Sequence, residues 1–90
     1  MQALLKELLN KFLVTHSPPG NEEEMVEAAR PYLQEHCDEV FQDPHLNLIG
    51  KIAGESDEDA ILIVTHKDEV ATMVESIDED GKVHLDPLGG

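Results

Sequence analysis

Apolar pairs recur four residues apart over the first thirteen positions. Leu4, Leu5, Leu8, Leu9, Phe12 and Leu13 fall on one broad stripe of a helix, and Lys6, Glu7, Asn10 and Lys11 take the opposite face. The pattern stops at Thr15-His16-Ser17-Pro18-Pro19-Gly20, where two prolines and a glycine enforce a loop. Asn21 then reads as the N-cap of a second helix. Glu22, Glu23 and Glu24 fill its first turn, with Glu24 at capping-box spacing. Met25, Val26, Ala29, Tyr32 and Leu33 supply its buried face. Pro31 predicts a kink or a break, because it cannot donate to the carbonyl of Glu27.

From Asp38 the period changes. Glu39-Val40-Phe41-Gln42 and Leu48-Ile49-Gly50-Lys51-Ile52 predict a hairpin about a turn at Asp43–Asn47. Glu55 to Asp59 is a solvated acidic loop. Ala60-Ile61-Leu62-Ile63-Val64-Thr65 is apolar and rich in β-branched residues, with no alternation, which predicts a strand covered on both faces. A further strand is expected from Val70 to Ile77. Asp78-Glu79-Asp80-Gly81 then turns the chain into Lys82–Asp86. Two helices and a doubly covered strand predict the α/β class, a sheet with helices on both faces. Ninety residues supply too little helix to cover one, and Pro87-Leu88-Gly89-Gly90 reads as an interrupted connection.

Charge sharpens the picture. Six Lys and Arg against twenty Asp and Glu give a net charge of −14, which argues against nucleic acid or an anionic membrane as partner. The longest apolar run is far too short to cross a bilayer, and the N-terminus lacks the basic region of a signal peptide. One cysteine, Cys37, excludes an internal disulfide and fits a reducing, cytoplasmic setting. Hydrophobic residues make up 40% and aromatics only 3%, so Leu, Ile and Val must build the core. A chain this short buries roughly 60–65% of its unfolded surface. Self-repulsion of so much negative charge then points to a larger assembly or a bound cation.

The sharpest chemistry is His66-Lys67-Asp68-Glu69, at the carboxyl end of the apolar run, where open α/β sheets collect ligands. In extended chain His66 and Asp68 point to the same side. An imidazole beside a carboxylate suits a divalent metal, with the histidine as ligand and the acid orienting it. By spacing alone, a surface hydrogen bond is the commoner meaning of His-x-Asp. His16, His36, His45 and His84 show no ligand spacing and read as exposed. Asp78–Gly81 lacks the later ligands of a calcium loop and is better explained as a turn. Cys37 has no base near it in sequence.

The wider context gives the pair more weight. The run Ile61–Val70, then Met73–Gly81, then Leu85–Gly90 resembles the dinuclear metallo-aminopeptidases of the glutamyl and deblocking aminopeptidase family, which are tetrahedral, self-compartmentalising peptidases. The family pattern there is an apolar strand, His-Met-Asp-Glu, a second apolar strand, Ile-Asp-Glu-x-Gly and Pro-x-Gly-Gly. Upstream, Ser17–Glu22 is similar to the family's Pro-Gly-x-Ser-Gly-x-Glu loop, and Asp43–Ile49 to its Asp-x-x-Gly-Asn-Leu-Ile hairpin.

The resemblance implies the N-terminal part of an α/β/α zinc-peptidase-like catalytic domain, with two helices and a mixed sheet, over residues 1–69. Residues 70–90 would open an inserted β-rich dimerisation domain. It implies His66 as a ligand of one of two divalent metals, zinc or cobalt, and Asp68 as the catalytic carboxylate that orients or tunes it. It further implies peptide substrates cut at their N-terminal residue and a large homo-oligomer. Two departures stand out: Lys67 replaces the usual methionine, and Leu46 replaces the usual glycine. The bridging aspartate, further carboxylates, second histidine and glutamate base of a working site have no counterpart here. The expectation is therefore an N-terminal fragment or truncated relative that is inactive alone. Its rival is a non-catalytic α+β binding or assembly module of the same descent.

Overall fold

The computed structural model describes every residue from Met1 to Gly90. Its elements run α1 (Gln2–Leu13), α2 (Glu23–His36), β1 (Glu39–Gln42), β2 (Leu48–Lys51), β3 (Ala71–Ile77) and β4 (Val83–Leu88). Both helices and both hairpins fall where the apolar spacing places them. No helix is long and apolar enough to cross a membrane.

The N-terminal half packs. Phe12 of α1 meets Tyr32 of α2 edge-to-face, with centroids 6.1 Å apart and planes at 84°. Tyr32 Oη also donates to Glu7 Oε1 at 2.9 Å, which raises the phenol's pKa, since ionisation would lose the bond and face the carboxylate. Against the other side of α2 lies the β1–β2 hairpin, in the antiparallel register Glu39↔Lys51 to Gln42↔Leu48. Gly50 makes this docking possible. A Cβ built there would stand 2.7 Å from Cys37 Sγ and 3.5 Å from Leu33 Cδ2.

The second half differs. β3 and β4 pair antiparallel from Ala71↔Leu88 to Ile77↔Val83, with a slip between Val74 and Ser76 that leaves Glu75 as a bulge. This ribbon packs against no helix and no other strand. The radius of gyration is 17.6 Å, against about 12 Å for a compact chain of this length. Only Val26 and Ser17 are buried.

Four expectations need correction. The structure is an α+β mix of two separate two-stranded antiparallel sheets, and no mixed sheet lies between helices. The run Ala60–Thr65 is not a strand, and Ile61, Leu62, Ile63 and Val64 are 95%, 82%, 88% and 78% exposed. A ladder needs a partner, and although each of the four strands keeps one edge free, none is paired with this run, since every ladder here lies within a single hairpin. Asn21 is not the N-cap. Its amide donates to Pro18 O and prolongs the turn, so α2 is capped by Glu22 without a side-chain bond, while Glu22 Oε1 accepts from Gly20 N. Finally, of the kink or break expected at Pro31, the break does not occur: α2 runs from Glu23 to His36 with Pro31 on its exposed side, where water can reach the carbonyl the ring leaves unpaired.

Candidate functional site

His66 and Asp68 lie in the unpaired segment between β2, which ends at Lys51, and β3, which begins at Ala71. His66 Nδ1 is 3.0 Å from Asp68 Oδ1 and 3.0 Å from Asp68 O. Both partners are acceptors, so Nδ1 carries a proton, and in the neutral ring the lone pair then lies on Nε2. The imidazole is 84% exposed and the carboxylate 38% exposed. This is the arrangement in which an acid fixes the tautomer and direction of a metal-ligating histidine.

The residues present fit one corner of a metal site and no more. No group of three or more His, Cys, Asp or Glu side chains converges anywhere in the chain. One imidazole and one acid cannot hold two ions, so no catalytic step follows from this chain's residues alone. A divalent metal in a completed site of this kind would supply an activated water and a polarised carbonyl.

Three bonds hold the segment that carries the pair, and Ser17 makes two of them. Its hydroxyl donates to Lys67 O at 2.5 Å, and its own carbonyl accepts from Glu69 N at 2.8 Å. The peptide units on either side of Asp68 are thus tied to one buried residue of the α1–α2 loop. The third bond comes from Lys67, whose Nζ donates to Leu46 O at 3.1 Å. Leu46 sits at φ 67°, in the left-handed region that glycine tolerates and leucine disfavours. The two positions that depart from the family pattern are therefore in contact. The Lys67 ammonium reaches the turn at Leu46, between β1 and β2, with nothing in the geometry pairing it to Asp68.

Sequence reasoning placed Ser17 only within a loop motif and gave it no role. Fifty positions separate it from Lys67, and no local pattern reports such a contact. The remaining histidines are exposed; among them His84, near the start of β4, places Nε2 3.3 Å from Oδ2 of Asp78 in the β3–β4 turn. Asp78–Gly81 is a turn, closed by Asp78 N to Lys82 O and by Gly81 at φ 81°.

Comparison with known proteins supplies the context this corner lacks. The family model described as M42 glutamyl aminopeptidase matches residues 47–90, which include β2, the His66–Asp68 pair and the whole β3–β4 ribbon. A protein of Acetivibrio thermocellus named "Putative aminopeptidase" is 36% identical over 84 residues, which is 93% of this chain and 25% of that protein. The chain thus spans about a quarter of that relative's length. No solved structure matches it. The family match over the segment that holds the pair, and the relative's identity along nearly all of the chain, agree: the chain belongs to the M42 glutamyl aminopeptidase family and corresponds to an N-terminal portion of it.

Proposed function

We propose that this chain contributes the first ligand corner of a metal-dependent aminopeptidase that removes N-terminal residues from peptides. His66 would bind zinc or cobalt through Nε2, and Asp68 would hold the ring by its Nδ1 proton. The observation that supports this most directly is the 3.0 Å contact of Nδ1 with Asp68 Oδ1, which leaves Nε2 bare and exposed. Residues 1–69 would belong to the catalytic domain and residues 70–90 to an inserted β domain, a division favoured by a ribbon that touches neither helix. Cytoplasmic location and a homo-oligomeric assembly belong to the same reading.

By itself the ninety-residue chain is inactive in this view, because no cluster of ligands completes the site. Incubation with aminoacyl chromogenic substrates and zinc or cobalt should give no turnover above a His66→Ala control. Turnover that the substitution abolishes would overturn the inactivity. Zinc should still perturb the His66 ring in the wild-type chain, and an unperturbed ring would remove the ligand assignment.

A second reading draws on Ile61–Val64, four bare aliphatic residues in succession. A non-catalytic assembly module would cover them with another chain. Its mark is oligomerisation that is indifferent to metal and unaffected by His66→Ala.

A further inference from the structure

We propose that Ser17 is the positioning residue of the His66–Asp68 pair. The inference rests on the reading of that pair as a ligand corner, but its geometry stands apart from any metal. For Asp68 to reach His66 Nδ1, the backbone from 66 to 69 must hold one conformation. That segment belongs to no helix or strand, so no ladder fixes it. Ser17 fixes it instead: hydroxyl to Lys67 O, carbonyl from Glu69 N. These bonds fall on the residues immediately before and after Asp68, and they restrict the torsions that aim its carboxylate.

Burial strengthens the case. Ser17 is 4% exposed and is the one buried polar residue in a chain that buries almost nothing. A hydroxyl withdrawn from water costs free energy unless it is bonded, and its partner here is the Lys67 carbonyl. The clamp is also braced from outside. Lys67 Nζ on Leu46 O ties the same segment to the β1–β2 turn, so residues 66–69 are held from two separate loops. Ser17 touches no reacting atom in this arrangement. It acts through Asp68, and Asp68 acts on the ring.

The imidazole tautomer provides a readout that a merely stabilising serine would not move. Long-range proton–nitrogen spectra at about pH 8.5, above the usual imidazole range, should show His66 mainly as the Nδ1–H form. An unrestrained histidine prefers the opposite form. Ser17→Ala should shift His66 toward Nε2–H while the other four histidines stay unchanged, and Ser17→Thr, which keeps the hydroxyl, should restore the wild-type ratio. A Ser17→Ala chain that folds and keeps the Nδ1–H form overturns the proposal.

If Ser17→Ala fails to fold, the wild-type chain still decides. The Glu69 amide, bonded to Ser17 O, should exchange with solvent at least tenfold more slowly than the Asp68 amide. Equal rates would show that the clamp does not form. Zinc titration of the same sample reports separately on the ligand reading: a tautomer that depends on Ser17, in a ring that ignores zinc, would keep the positioning role and discard the metal.

Discussion

Two hairpins of like topology meet different fates along this chain. In each, an aspartate organises the turn. Asp43 accepts from Asn47 Nδ2 at 2.8 Å and from the amides of Asn47 and His45 at 2.8 and 3.0 Å. Asp78 accepts from the amides of Lys82 and Asp80 at 2.9 and 3.0 Å and faces His84 Nε2. What differs is the support behind them. β1–β2 lies on α2, with Leu48 and Ile49 half-buried, whereas along β3–β4 only Ala71 and Leu88, at the end near the α1–α2 loop, lose appreciable exposure. A two-stranded ribbon without a covered face is marginal in water. The contrast teaches that local turn chemistry suffices to specify a hairpin, while packing decides how firmly it is held.

The strongest way to break the comparison is to remove that packing. Val26→Ala removes both γ-methyls from the one buried aliphatic side chain and should cost the helix–hairpin half about 2 kcal/mol. Amide signals of β1 and β2 should weaken together with those of α2, while those of β3 and β4 stay in place. Chemical denaturation followed by nuclear magnetic resonance would show it, and a concerted loss of both hairpins would contradict the separation.

A smaller perturbation tests the docking surface directly. Gly50→Ala should destabilise the same half by about 1 kcal/mol, as the new methyl meets Cys37 Sγ. Adding Cys37→Ala should recover most of the loss. Thermal melts of the two single variants and the double variant give the coupling, and an additive double variant would mean that the clash is not felt.

Acid gives the mildest comparison. The Asn47 amide side chain holds the Asp43 carboxyl below the usual carboxylate range, and the Lys82 backbone N–H does the same for Asp78. Both groups therefore favour the folded turn most above the ordinary carboxylate pKa. That contribution disappears as pH falls through their lowered values. Below about pH 4 the β3–β4 ribbon should lose its amide pattern first, since nothing else holds it, and β1–β2 should persist on α2. A pH series of amide spectra checks the order.

The elements legible in sequence were those whose cause is local. The α1 stripe, the Asp43–Asn47 turn and the Asp78–Gly81 turn each depend on residues within a few positions, and the structure builds all three. His66 and Asp68 were legible as neighbours for the same reason, being two residues apart. Ala60–Thr65 was misread because β-branched residues announce a strand without saying what it pairs with. Asn21 was misread because the Pro-Pro-Gly turn outcompeted the cap for its backbone. Ser17 was invisible in its role, since its contacts with Lys67 and Glu69 bridge some fifty positions.

The long unladdered stretch of residues 52–70 carries a consequence for the lifetime of the polypeptide. Proteases take their substrates as extended backbone, and here such backbone is presented beside bulky aliphatic side chains that quality-control machinery also recognises. A cut among Ile61–Val64 would divide the molecule into a helix–hairpin piece and a ribbon piece, joined by the hydrogen bonds of Ser17 and by the Lys67 ammonium on the Leu46 carbonyl.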